Sequence, residues 1–144
     1  MNKEHFALIG HPILHTISPF IHKRLFELSK VYAEYTVINI PPDNLEYSMP
    51  ILNNLNGYNI TIPHKQNIIK FLDSIDPKSS LYNSVNTVKN SEKSTGYTTD
   101  AMGFLKSLEF ENINFGNKVL ILGCGGVARV IAYEAVLAKA HVYI

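Results

Sequence analysis

Residues 118–122, Lys-Val-Leu-Ile-Leu, run without a break into Gly123-Cys124-Gly125-Gly126-Val127-Ala128, and Arg129 to Ala138 then read as a helix. A near-continuous apolar strand belongs to a parallel sheet covered on both faces, since it keeps no polar side for solvent. Parallel strands also need long crossover connections, so this stretch restricts the chain to folds in which strands and helices alternate. The remainder agrees. Phe6-Ala7-Leu8-Ile9, Tyr35 to Ile40, Gly57 to Ile62, Ser84 to Val88 and Gly96 to Thr98 read as strands, several of them closed by Gly, Pro or Asn. Ser18-Pro19 opens a helix running to about Lys30, with Phe20, Ile21, Leu25 and Leu28 at helical spacing. Asp43 to Leu55 is a second helix, which Pro50 shortens or kinks. Pro63 opens a third that carries Ile68, Ile69 and Leu72, and Ala101 to Leu108 is a fourth.

The expected fold class is therefore α/β: a mixed, partly parallel sheet flanked by helices, followed by an incomplete βαβ unit of Rossmann type. A polar, Gly-containing stretch separates two apolar regions, which divides the chain into residues 1–108, a connector at 109–117, and 118–144. His141 to Ile144 begins one more strand, and the unit is expected to be unfinished there.

Hydrophobic residues make up 46% of the 144 and charged residues 17%, which predicts a packed core rather than disorder. A formal charge of +1 without a Lys/Arg stripe speaks against nucleic acid as a partner. No apolar run is long enough to span a bilayer or to form a secretory core, and the lone Cys124 has no internal partner. These features together predict a soluble, cytoplasmic protein with no membrane partner.

The run Gly123-x-Gly125-x-x-Ala128 fits the strand–turn–helix template for dinucleotide binding, in which Gly123, Cys124, Gly125, Gly126, Val127 and Ala128 bring backbone N–H groups to a pyrophosphate. A tight strand-to-helix connection in any α/β fold gives the same pattern, so local chemistry leaves both readings open. The other polar residues are equally double-faced. Ser18 and Asp100 each stand where a helix N-cap belongs. Lys65 reads as a solvated residue in the first turn of its helix, Asn86 as the polar end of a strand and Thr61 as an ordinary strand residue. His11, His15 and His22 suggest a metal, yet Pro12 and Pro19 break any helix that would align them, and no metal is assigned. Cys124 is either a reactive thiol beside a helix N-terminus or a small filler of the turn.

Five segments in order carry a family resemblance: Gly10-His11-Pro12-Ile13-Leu14-His15-Thr16-Ile17-Ser18-Pro19-Phe20-Ile21-His22, Asn59-Ile60-Thr61-Ile62-Pro63-His64-Lys65, Ser84-Val85-Asn86-Thr87-Val88, Gly96-Tyr97-Thr98-Thr99-Asp100-Ala101-Met102-Gly103-Phe104, and the glycine run at Gly123. Each alone is weak; as an ordered set they resemble the amino-terminal part of shikimate dehydrogenases, the substrate domain plus the opening of the NADP-binding domain. The resemblance implies reversible reduction of 3-dehydroshikimate to shikimate by NADPH in aromatic amino-acid (chorismate) biosynthesis. It implies Lys65 and Asp100 as the catalytic pair. Thr16 and Ser18 would hold the substrate carboxylate, and Thr61, Lys65, Asn86 and Asp100 would meet the rest of the substrate. NAD stays open beside NADP, because the residue that would read the ribose lies past Ile144.

His11, Thr16 and Thr98 depart from the family pattern, where asparagine, serine and asparagine are usual. The extra methyl of Thr16 bears on the choice between shikimate and quinate. The tyrosine and glutamine that the family returns to the substrate have no counterpart in the 144 residues, so the chain alone is expected to turn over feebly or not at all. Two alternatives stand beside the enzyme: a non-catalytic remnant that binds a hydroxylated cyclic acid such as shikimate or quinate, and a fragment that associates, as a homodimer or otherwise, through its unfinished sheet.

Overall fold

The computed structural model describes residues 2–13 and 15–144; Leu14, inside the opening motif, lies outside the described residues. Among the described residues eight strands run Glu4–Gly10 (β1), Ala33–Asn39 (β2), Gly57–Ile60 (β3), Ser74–Ile75 (β4), Thr87–Asn90 (β5), Ser94–Tyr97 (β6), Lys118–Leu120 (β7) and His141–Tyr143 (β8). The α-helices among these residues span Ser18–Ser29 (α1), Leu45–Leu52 (α2), Pro77–Tyr82 (α3), Asp100–Phe110 (α4) and Gly126–Leu137 (α5). The first six strands form one sheet in the order β2-β1-β3-β5-β6-β4, and β7 pairs with β8 in a second. β1 is parallel to both β2 and β3, whereas the β3–β5 and β5–β6 pairs are antiparallel. The architecture is the mixed α/β sheet flanked by helices that the alternation implied.

One face of the large sheet carries the core. Ala7 and Ile9 from β1 and Tyr58 and Ile60 from β3 point to it at the two-residue period of a strand, and Leu45, Met49 and Leu52 of α2 close over them with Ile68, Val85 and Val88. The opposite face is covered by α1 through different residues than periodicity suggested. Phe20, Leu25 and Leu28 point outward, Phe20 being 77% exposed, and α1 buries no residue fully. His22 and Phe26 face the sheet instead: His22 stacks on Tyr35 with ring centroids 4.0 Å apart, and Phe26 meets Phe6 at 5.5 Å.

Other boundaries moved for identifiable reasons. The expected helix after Pro63 is a turn followed by a short 3₁₀ segment, Asn67–Phe71. An α-helix would need the Lys65 carbonyl to accept from Ile69. The Val85 N–H takes that carbonyl at 2.8 Å, and the Ile69 N–H goes to Gln66 at 3.2 Å, a 3₁₀ spacing. The helix expected from Asp43 to Leu55 divides into a 3₁₀ turn, Pro42–Asn44, and α2, which tolerates Pro50 in its interior. β4 and α3 had no expectation at all; α3 is capped by Asp76, whose carboxylate accepts from the Lys78 and Ser79 N–H groups at 3.1 and 3.2 Å.

A second, smaller cluster of Tyr82, Ala101 and Val130, with Tyr133 against it, seats α5 on α3 and α4. The Tyr82 and Tyr133 rings meet edge to face at 5.4 Å, and the Tyr82 hydroxyl donates to Glu134 Oε1. This contact sets where the glycine turn stands relative to the large sheet. Among the described residues no helix is long and apolar enough to cross a membrane.

Candidate active site

Three segments converge at one end of β3 and β5. The turn after β3 supplies Lys65, the lead-in to β5 supplies Asn86, and the first residue of α4 is Asp100. The Lys65 Nζ donates to Asp100 Oδ2 at 2.7 Å, with the two side chains 16% and 19% exposed. Asn86 Nδ2 donates to the other carboxylate oxygen at 2.7 Å and to Thr99 Oγ1 at 2.9 Å. Its Oδ1 accepts from the Thr99 N–H and from Thr87 Oγ1, each at 3.0 Å. A carboxylate held between an ammonium and an amide, mostly out of solvent, is fixed in direction.

The helix-cap readings fail for both candidate residues. The cap of α4 is Thr99, and the Asp100 carboxylate is spent on Lys65 and Asn86 instead. The cap of α1 is Ile17, and the Ser18 N–H goes to Thr16 Oγ1 at 3.2 Å. Lys65 likewise leaves the helical first turn assigned to it, because its carbonyl is diverted to Val85. Thr16 Oγ1 donates to Ser18 Oγ at 3.1 Å, which leaves the Ser18 hydroxyl proton free for an anionic group.

These groups line two adjoining clefts. One, about 540 Å³, holds Thr16, Ser18, His15 and Pro12; the other, about 590 Å³, holds Lys65, Gln66 and residues 121–129. Thr61 and Ile62 border both, with Ile62 67% exposed at the junction. Thr16, Ser18, Thr61 and Lys65 thus line one continuous groove, while Asn86 and Asp100 stand behind Lys65.

The glycine turn forms the far wall. Gly123 adopts φ +121°, a conformation that L side chains rarely take, and nothing lies within 4 Å of where a Cβ would project at Gly123 or Gly125. α5 starts at Gly126 without a side-chain cap, so its first N–H groups remain available to an anion. Open space above two glycines and an uncapped helix N-terminus fit a pyrophosphate. Gly126 closes the gap on the other side: a Cβ there would come 3.1 Å from Ser84 Oγ and 3.4 Å from Lys65 Cδ. Cys124 is exposed in the turn.

Sequence reasoning passed over Thr99, Thr87 and Asn59. Asn59, on β3, sits two residues before Thr61, which follows the strand, and the two-residue period was the signal available for it. Its Nδ2 donates to Thr87 Oγ1 at 3.0 Å.

A mixed α/β sheet with a half-buried ammonium–carboxylate pair near a glycine turn defines an α/β protein with a two-sided cleft. The family described as the shikimate dehydrogenase substrate binding domain matches residues 8–88, more than half of the chain, and the chain belongs to that family. Among curated relatives, the NADP(+) shikimate dehydrogenase of Nitrosopumilus maritimus is 44% identical over 130 residues, covering 88% of this chain and 48% of that protein. That of Moorella thermoacetica is 38% identical over 131 residues, covering 88% and 44%. The crystal structure of shikimate dehydrogenase 1 from Peptoclostridium difficile superposes with a TM-score of 0.91 at 31% identity, over 97% of this chain and 54% of that one. The Thermus thermophilus shikimate dehydrogenase in complex with NADP(H) and shikimate superposes at 0.88 with 32% identity, over 96% and 54%. The chain spans about half the length of the relatives it matches.

Proposed function

We propose that this chain serves the reversible, NADP-dependent reduction of 3-dehydroshikimate to shikimate in aromatic amino-acid biosynthesis, as an oxidoreductase of the shikimate dehydrogenase family. The observation that carries the reading is the Lys65–Asp100 pair at 2.7 Å, with Lys65 in the same cleft as the glycine turn. Residues 1–108 form the substrate domain in this reading, 109–117 the connector and 118–144 the start of the cofactor domain. The cytoplasm is the compartment that suits such a pathway enzyme. NADP is favoured over NAD because the relatives are NADP(+) enzymes.

Each residue then has a task. Ser18, with Thr16 beside it, takes the substrate carboxylate by hydroxyl hydrogen bonds. Thr61, at the border of both clefts, meets a ring hydroxyl, and Asn86 and Asp100 fix the hydroxyl next to the reacting carbon. The Gly123–Ala128 turn holds the cofactor's pyrophosphate, and the bound nicotinamide supplies the hydride. As the ketone oxygen gains negative charge, the Lys65 ammonium stabilises it and delivers the proton that completes the alcohol; in the oxidation direction the Lys65 amine takes it back. Asp100 keeps Lys65 aimed at that oxygen. The two-stranded β7–β8 sheet is small for holding a nicotinamide ring in register, so the 144 residues alone are expected to turn over weakly or not at all.

A second reading, in which the chain binds a hydroxylated cyclic acid without turnover, draws on one observation: the Thr16–Ser18 cleft is lined wholly by residues before the connector. Calorimetric titration of shikimate, with quinate as competitor, tests the substrate half for both readings. Saturable binding lost in Asp100→Ala is the expected result, and no binding to the folded chain would refute a substrate site assembled from these 144 residues alone. Shikimate-dependent reduction of NADP by the chain, lost in Lys65→Ala, separates enzyme from binder.

A further inference from the structure

The Lys65–Asp100 pair is the end of a longer polar chain that begins on the far side of the sheet. The Tyr35 hydroxyl, on β2, donates to Asn59 Oδ1 at 2.8 Å. Asn59 Nδ2 donates to Thr87 Oγ1 at 3.0 Å, and Thr87 Oγ1 donates to Asn86 Oδ1 at 3.0 Å. Asn86 Nδ2 donates to Asp100 Oδ1, and Lys65 donates to Asp100 Oδ2, both at 2.7 Å. From these contacts we infer that Tyr35 is a positioning residue for the Lys65–Asp100 pair, acting through Asn59, Thr87 and Asn86. The inference rests on the proposed function only for what the pair does, not for how it is held.

The direction of the relay follows from donor and acceptor counting. Asn59 Nδ2 also reaches the Asn86 backbone carbonyl at 3.4 Å, which accepts and never donates, so the amide nitrogen of Asn59 must face Thr87. Its oxygen must then face Tyr35, whose hydroxyl becomes a donor. With an N–H aimed at its oxygen, the Thr87 hydroxyl has its proton left for Asn86 Oδ1. Together with the Thr99 N–H, which meets the same oxygen at 3.0 Å, this orients the Asn86 amide with its nitrogen on Asp100. Removing the Tyr35 hydroxyl leaves Asn59 Oδ1 without this donor, so the long 3.4 Å contact to the Asn86 carbonyl is left to hold the amide and the Asn59–Thr87 contact loosens. The register supports the path, since Asn59 lies directly opposite Thr87 in the β3–β5 ladder. The Tyr35 ring is itself clamped flat by His22 of α1, with 5° between the planes.

Tyr35→Phe keeps the ring and its stack and deletes only the hydroxyl; Thr87→Val deletes the middle of the relay at nearly constant shape. Tyr58→Phe is the control, because the buried Tyr58 hydroxyl has no hydrogen-bond partner among the described residues and belongs to no relay. The readouts are the Asn86 side-chain ¹H–¹⁵N resonances, the Asp100 side-chain ¹³C resonance and shikimate affinity by calorimetry, each on the folded full chain. In Tyr35→Phe and Thr87→Val the Asn86 and Asp100 resonances are expected to shift or broaden, and shikimate affinity to fall about three- to tenfold, the effect of one lost neutral hydrogen bond. Tyr58→Phe is expected to move neither. Unchanged Asn86 and Asp100 resonances in either folded relay variant would overturn the inference; Thr87→Val decides the matter if Tyr35→Phe does not fold. A wild-type chain that binds no shikimate would defeat the functional reading alone, since the resonances report the relay without ligand.

Discussion

Replacing Asp100 by Asn removes one charge and almost no volume. It exposes an asymmetry in the pair. Among the described residues Lys65 Nζ has one hydrogen-bond partner, Asp100, whereas the Asp100 carboxylate keeps Asn86 when Lys65 is removed. Asp100→Asn should therefore cost more stability than Lys65→Met. Hydrogen bonds to charged groups contribute about 1.5–3 kcal/mol, and removing one partner of a fully buried pair costs about 3–5 kcal/mol. With side chains 16% and 19% exposed, the pair lies between a surface bridge and a fully buried one. We expect about 2–3 kcal/mol for Asp100→Asn, about 1–2 kcal/mol for Lys65→Met, and a coupling of about 1.5–2 kcal/mol in the double variant. Urea unfolding followed by circular dichroism gives all three, and the coupling should survive about 1 M salt because the pair is largely shielded. A coupling below about 0.5 kcal/mol, or a Lys65→Met cost equal to that of Asp100→Asn, would refute the argument that the ammonium depends on this carboxylate.

Leu52→Ala, at a fully buried position under the sheet, should lower the unfolding free energy by about 2–5 kcal/mol in the same urea assay. Burial first, then the Glu134 hydrogen bond and charge, push the Tyr82 phenol from about 10 up to about 12. A raised folded-state value stabilises fully below the unfolded one, so that contribution should be lost as pH climbs from about 10 to about 12, and Tyr82→Phe should flatten the loss in thermal melts. Gly126→Ala should cost more in the natural background than beside Ser84→Ala, with a coupling of about 0.5–1 kcal/mol in melts, because the new methyl meets Ser84 Oγ at 3.1 Å. Amides of β7 and β8 should exchange faster than those of β1 and β3, since a two-stranded sheet lacks neighbours; equal protection by hydrogen exchange would contradict this.

The strand–glycine–helix stretch and the alternation of elements were readable because they are local: each depends on residues within about one turn or one strand. The polar site was readable as a set of residues through the family resemblance, yet its wiring was not. Whether Lys65 begins a helix depends on Val85, far along the chain, winning its carbonyl. Whether Asp100 caps a helix depends on Lys65 and Asn86 competing for the carboxylate with the local N–H groups, and the charged partner prevails. The face that α1 turns inward was hidden for a related reason. Its apolar set has the right period, but the aromatic surface of Phe6 and Tyr35 offers stacking partners that His22 and Phe26 fill better than Leu25 or Leu28.

The two halves of the proposed chemistry are consequently held by different physics. Lys65 stands in the turn that follows β3 of the large sheet, and its aim is set by Asp100, itself held by the polar relay through Asn86, Thr87 and Asn59. The glycine turn belongs to α5, whose place is set by the small cluster of Tyr82, Ala101 and Val130, against eleven buried residues in the main core. The first device fixes direction, because hydrogen bonds weaken steeply when bent; the second fixes separation, because apolar contact is non-directional but falls off with distance. Hydride and proton transfer to one carbonyl group need both, an oxygen in line with Lys65 and a carbon at a set depth from the turn. Gly126 stands where the two devices meet, since a Cβ there would come within 3.1 Å of Ser84 Oγ and 3.4 Å of Lys65 Cδ. A glycine at that position lets the helix of one half close to the lysine of the other, a role separate from the approach to phosphate that the glycine pattern alone suggests.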